Sequence, residues 1–186
     1  MTNRRVIAHE AVVRGAIQHF LRRSTLDMDA LAVELAISRA TLYRVAQSRD
    51  ALLAEVFWAL SKLMLDTARA ARTRTGVDGV IDISRHFGAQ LRSAGTMRQF
   101  LADDREAAAR VLFTPAGPVH DGIVATQLDI FAEAGLTAEL GPDADLEYLA
   151  FLYVRIAGSA LYAEFFTGRP ADFGVAERAL RALLTP

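Results

Sequence analysis

Apolar residues in this chain return every three or four positions along most of its length, and that spacing restricts what it can fold into. Val13, Ala16, Ile17, Phe20 and Leu21 stripe one early stretch; Leu52, Leu53, Val56, Phe57, Leu60, Leu63 and Met64 stripe a longer one. At about 100° per residue such positions share one side of a helix. Residues that interrupt helices are sparse, with 5 Pro and 12 Gly among 186 residues, and the 52% hydrophobic content is rich in Ala and Leu rather than in β-branched runs. An all-α protein is predicted, long enough to bury a core of its own.

The periodicity predicts about nine helices. They cover 4–22, 27–35, a short stretch from Ser38, 48 to about 74, 78–94, 97–112, 116–135, 143–167 and 172–184. "TRTGVDG", Gly95, "TPAGP", "GLTAELGPD" and "TGRPADFG" punctuate the later ones. The segment 146–166 is apolar enough to raise the question of a membrane span. Arg155 near its middle and Glu164 near its end are costly in lipid, so a helix buried on most sides is expected instead, and no membrane partner. Two domains are expected, residues 1–50 and residues 51–186.

Charge separates the two parts. Residues 1–50 carry eight arginines against five acids, whereas residues 51–186 carry thirteen Lys and Arg against seventeen acids. A positive head on a negative body suits a polyanionic partner. With no cysteine, disulfides and thiolate chemistry are excluded. The four histidines, 9, 19, 86 and 120, lack metal-ligand spacing, and neither a nucleophile elbow nor a nucleotide-binding glycine loop occurs. No catalytic residue, cofactor or metal is therefore expected, and a helical enzyme or a helical scaffold without DNA binding stand as the alternatives. "MTNRRVIAHE" lacks the apolar run of a signal peptide, which makes a cytoplasmic location the expectation.

The head shows a specific layout. Asp27 is placed to cap a short helix striped by Met28, Leu31, Ala32 and Leu35; a tight turn follows, and Ser38 is placed to cap the next helix. Two short helices joined in this way form a helix-turn-helix, whose second helix enters the major groove N-terminus first. On that second helix Ile37, Leu42 and Val45 point inward, leaving Arg39, Ala40, Tyr43 and Arg44 on the other side. Arginine can donate two parallel hydrogen bonds to guanine, a small residue such as Ala40 lets the helix sit deep, and the hydroxyls of Thr41 and Tyr43 can anchor phosphates. Arg22 and Arg23, at the end of the first helix, read either as a dipole cap or as phosphate contacts.

The stretch "LAVELAISRATLYRVAQSRDALLAEVF" resembles the DNA-binding segment of the tetracycline-repressor (TetR) family. Leu31-Ala32, Ile37-Ser38, Arg39, Ala40, Thr41-Leu42-Tyr43 and the run from Ser48 to Leu53 match its pattern, as does Phe20 near the end of the first helix. The resemblance implies a ligand-responsive, DNA-binding transcriptional regulator, acting as a repressor on a palindromic double-stranded operator. It places Tyr43 and Arg49 on phosphates, and Arg39, Thr41 and Arg44 toward bases, with Ser38 and Ala40 in the same patch. Two departures stand out. Ala36 replaces the usual turn glycine, and Val45-Ala46 replaces an aromatic pair where the third helix meets the fourth.

"FLADDREAAARVL" and "LAFLYVRIAGSALYAEFFTGRPAD" further resemble TetR-type regulators of lactone-degrading (quorum-quenching) operons, which implies a lactone or related acyl signal as effector. Candidate residues lining an effector cavity are Trp58, His86, Phe87, Gln90, Met97, Phe100, Phe113, His120, Phe151, Arg155 and Tyr162. For the aromatic and Met side chains, core packing is the simpler reading. Arg155, in an apolar helix, is expected to be buried and to need a partner, either an acid such as Asp103, Asp104 or Glu106 or a ligand oxygen. By the same resemblance the last two long helices form a homodimer, with Ala150, Ala157, Gly158, Leu161, Phe165, Leu180 and Leu183 expected at the interface.

Overall fold

A computed structural model describes residues 7–114, 118–141, 143–169 and 172–185. Among them twelve helices occur: α1 (His9–Arg23), α2 (Met28–Glu34), α3 (Arg39–Ala46), α4 (Arg49–Ala70), α5 (Gly76–Ser93), α6 (Gly95–Asp103), α7 (Arg105–Phe113), α8 (Pro118–Glu133), α9 (Leu136–Glu139), α10 (Leu146–Leu161), α11 (Ala163–Thr167) and α12 (Phe173–Leu184). Three more appear than the periodicity suggested. The stretch 97–112 is cut at Asp104, whose carboxylate accepts the Ala107 N–H at 3.3 Å and so opens a new helix. The stretch 143–167 is broken at Tyr162, and α9 is a single turn. The first helix starts at His9 rather than residue 4; residues 4–6 lie outside the described residues, as do parts of "TPAGP", "GLTAELGPD" and "TGRPADFG". No helix among the described residues is long and apolar enough to cross a membrane.

The chain forms two compact units. The first takes residues 1–60 and 95–119, so it reaches past residue 50 and recruits α6 and α7. The physical reason is an aromatic cluster. Phe20 of α1, Phe57 of α4 and Phe100 of α6 pack with ring centroids 5.3–5.5 Å apart, each almost wholly buried. Arg110 of α7 adds a 3.0 Å ion pair to Asp50.

The second unit takes residues 61–94 and 120–186. Its core gathers Ile81, Ile83, Phe87, Phe131, Tyr153, Leu180 and Leu184. Tyr153 sits at its centre, its ring edge-on to Phe131 at 5.6 Å and its hydroxyl 2.8 Å from Ser84 Oγ; burial pushes that hydroxyl's pKa above the ordinary tyrosine range. Gly88 lets α5 approach α10, since a Cβ there would come within 2.8 Å of Leu161. Glu177 of α12 accepts from Arg85 at 2.7 Å and from Arg181 at 2.9 Å, which ties α12 to α5.

Several residues expected at a dimer interface turn inward instead. Ala150, Ala157, Phe165 and Leu180 are buried within the single chain, Leu161 faces Gly88, and Leu183 packs on the core; Gly158 is half-buried. Small apolar residues of α10 serve contacts inside this unit, which spacing alone could not tell apart from contacts to a second copy. The expected burial of Arg155 is also corrected: it lies on the exposed face of α10 beside Phe151 and Ser159.

Candidate nucleic-acid interface

Both helices of the helix-turn-helix are set by side-chain caps. Asp27 Oδ1 accepts from the Asp29 and Ala30 N–H groups at 2.9 and 3.1 Å, and Ser38 Oγ accepts from Thr41 N–H at 3.1 Å. Capping holds the carboxyl of Asp27 below its ordinary range, because both backbone bonds favour the charged form. Between the caps, Ala36 takes φ 53°, the left-handed conformation in which glycine is at ease; the turn keeps its geometry and carries the strain.

A histidine that the sequence did not single out fixes α2 against α1. His19 is completely buried; its Nε2 accepts the Asp27 N–H at 3.4 Å and its Nδ1 lies 3.1 Å from Glu34. It therefore touches both ends of α2. Glu34 also receives Arg22 at 2.7 Å, with Arg23 at 3.6 Å, so those two arginines help to anchor the end of α2. His19, with the nearby arginines, holds the Glu34 carboxyl below its ordinary pKa. A signal was present, since His19 lies beside Phe20 on the apolar side of α1, but metal-ligand spacing was the wrong question to ask of it.

On α3, Leu42 and Ala46 are buried, Ile37 and Val45 are half-buried, and Arg39, Ala40 and Arg44 are exposed. Thr41 and Tyr43 sit at the border, with Thr41 Oγ1 2.9 Å from Ser38 Oγ. Arg39 lies over the Tyr43 ring at 5.5 Å and meets Asp29 at 3.2 Å. That ion pair is well exposed, so water screens it and it can open at little cost. Arg44 makes no ion pair among the described residues. The outer surface of α3 thus offers two guanidinium groups around a bare Ala40.

Arg49 is placed differently from the expectation. Its Nε donates to the Leu26 carbonyl at 2.9 Å and a terminal nitrogen donates to Asp104 Oδ2 at 3.1 Å. The side chain is 31% exposed, and Nε and one terminal nitrogen are engaged inside the first unit, joining the α1–α2 link, α4 and the start of α7.

The α3–α4 junction carries a second strained residue. Gln47 adopts φ 64° and ψ −62°, with Ser48 N–H donating to the Ala46 carbonyl at 2.7 Å: a γ-turn of the rare, strained kind. Ser48 Oγ then caps α4 by accepting from Ala51 N–H at 3.0 Å. This sharp reversal directs α3 away from α4. Beside it, the small Val45 and Ala46 leave a groove of about 450 Å³ that also touches Val13, Glu55 and Trp58.

This set of caps, buried face and exposed cations is that of a DNA-reading helix-turn-helix, and comparison with known proteins places the chain. Residues 75–185 match the family model described as the tetracyclin repressor-like C-terminal domain. The chain belongs to the TetR family. It is a ligand-responsive, DNA-binding transcriptional regulator and not an enzyme. The structure of the TetR-family transcriptional repressor QsdR from R. erythropolis is similar to it, with a TM-score of 0.87 at 22% identity over 96% of this chain and 95% of that one; at this identity the likeness is one of fold. No curated protein matches the chain.

The residues expected around an effector are spread over both units of this TetR-family chain. Trp58, Met97, Phe100 and Phe113 belong to the first, and His86, Phe87, Gln90, His120, Phe151, Arg155 and Tyr162 to the second. Phe100 belongs to the aromatic cluster, Phe87 to the second core, and Met97 is buried. His86 Nδ1 meets the Asp82 carbonyl at 2.8 Å, and Gln90 donates to the Met64 carbonyl at 3.0 Å. His120 packs edge-on to Phe151 at 5.7 Å. Gln127, not anticipated, is buried in the second unit with its amide nitrogen unbonded.

Proposed function

We propose that this TetR-family regulator is a repressor that reads a palindromic operator with α3 and releases it when a small acyl or lactone-type effector binds the second unit. One observation carries the DNA-reading part. A Ser38-capped helix buries Leu42 and Ala46 fully and turns Arg39, Ala40 and Arg44 outward, with Thr41 and Tyr43 at the edges. Arg39 and Arg44 reach base edges, while Thr41, Tyr43 and the helix N-terminus hold phosphates. The likeness in fold to a structure that is itself a transcriptional repressor supports repression.

Palindromy requires two copies. A second copy packs on the face that α10 and α12 leave exposed, where Tyr148 and Val175 are 57% and 54% exposed and Phe151 is 37% exposed. Tyr148 and Phe151 stack at 6.0 Å, so they present one flat apolar surface. The buried Gln127 amide supplies the second unit with a donor suited to a carbonyl oxygen of an effector, because an unpaired buried amide gains most from an acceptor.

The test is to sequence the genomic DNA fragments that the purified protein retains, and then to add N-acyl homoserine lactones and simple γ-lactones to the complex. An inverted-repeat motif that is released by one of them supports the proposal. Retention without any inverted symmetry would remove the palindromic reading, and retention that no lactone affects would remove that effector class.

A further inference from the structure

A groove of about 450 Å³ lies beside α1, α3 and α4, lined in part by the small Val45 and Ala46, and falls in the size range of small-molecule sites. Most of its wall is alkyl, from Val13, Val45, Ala46 and Ala59. Glu55 and Trp58, one turn apart on α4, both line it, and Glu55 is the one carboxylate among the lining residues. A carboxylate set in an alkyl wall needs a positive partner. His9 supplies it when its ring is protonated, with Nε2 2.6 Å from Glu55 Oε2. His9 opens α1 and is half-exposed, so its ring can turn out to water and leave the carboxylate to another cation.

A carboxylate beside an indole, among alkyl groups, is the chemistry that recognises an organic ammonium ion. We propose that this groove is a ligand site in the DNA-reading unit, taking an aromatic or alkyl ammonium whose charge replaces His9 on Glu55 and whose apolar body lies against Trp58 and Val45. The site is separate from any effector cavity in the second unit and does not depend on the operator assignment.

Trp58 is the single tryptophan of the chain, so its emission reports the groove directly in the full-length protein. The probes are phenyltrimethylammonium and its neutral isostere tert-butylbenzene, titrated without DNA. The cation is expected to give a saturable change, with affinity about tenfold or more above the isostere. Glu55→Gln should erase that preference. Val45→Phe, which fills the groove from the opposite wall, should abolish both responses. His9→Ala should tighten the cation several-fold, because it removes the competing charge; a merely structural His9–Glu55 pair predicts the reverse. If Glu55→Gln fails to fold, the wild-type preference and the His9→Ala result decide. No saturable response up to about 10 mM cation, equal affinity for both probes, or weaker binding in His9→Ala would overturn the proposal.

Discussion

Arg49→Ala separates two roles that a sequence motif cannot distinguish. In the folded chain the Arg49 guanidinium donates to Leu26 O at 2.9 Å and to Asp104 at 3.1 Å. Leu26 is buried, so the substitution leaves its carbonyl short of a donor. Hydrogen bonds that involve a charged partner contribute about 1.5–3 kcal/mol, while the part-exposed ion pair adds about 0–1 kcal/mol. The bonds share one side chain, so a loss of about 2–3 kcal/mol is expected, equivalent to about 4–12 °C in melting temperature for a chain of this size. Urea unfolding followed by Trp58 emission measures it, because Trp58 lies in the same unit. Arg49→Lys should recover little of the loss, since an ammonium cannot span both acceptors as the planar fork does. The slope of DNA affinity against salt should stay unchanged for both variants. If instead Arg49→Ala keeps its stability and the slope drops by about 2 for a dimer, with Arg49→Lys restoring it, Arg49 holds phosphate and the structural role assigned to it is wrong.

Ala36→Gly relieves a left-handed residue at φ 53°, and should stabilise the chain by up to about 1 kcal/mol after glycine's extra chain entropy is counted; a lower unfolding midpoint would contradict this. Combined Tyr148→Ser and Phe151→Asp should leave the fold intact by circular dichroism while sedimentation shifts from a dimer to a 20.3 kDa species, and a persistent dimer would place the interface elsewhere. Glu55 raises the pKa of His9, first by its hydrogen bond and then by its charge. The stabilisation is therefore fully present below the unfolded value of about 6.5 and is lost as pH rises through the folded value. The unfolding midpoint should fall as pH rises above about 6.5 more steeply in the wild type than in His9→Ala, and parallel curves would remove the linkage.

The helical architecture was legible because its signals are local. The caps at Asp27 and Ser38 and the inward Leu42 follow from side chains acting within a few residues of themselves. The three extra helices were not legible: breaks at Asp104 and Tyr162 interrupt apolar stripes that continue across them, and the single turn of α9 lies in "GLTAELGPD", whose glycines read as a loop. Arg49 shows the same limit in the site. Its place in the motif is visible in the sequence, but its partners lie 23 and 55 residues away and only folding brings them to it. Ala150 and Leu180 show a related limit, because apolar residues suit a core and a dimer interface equally well, and both are buried within the single chain. Val45 and Ala46 stand where the family pattern carries an aromatic pair, and a groove lies beside them.

The central claim, that α3 reads bases, is tested most directly by measuring the affinity of wild type and Arg39→Ala for operator and scrambled DNA across a range of salt. Among the described residues Arg39 makes an exposed ion pair and a ring contact, so its removal should leave stability unchanged. On operator DNA the variant should lose about 1–3 kcal/mol and relax its preference at one base pair per half-site, while binding to scrambled DNA stays nearly the same. An equal loss on both DNAs, or no loss on either, would contradict the docking of this helix in the major groove.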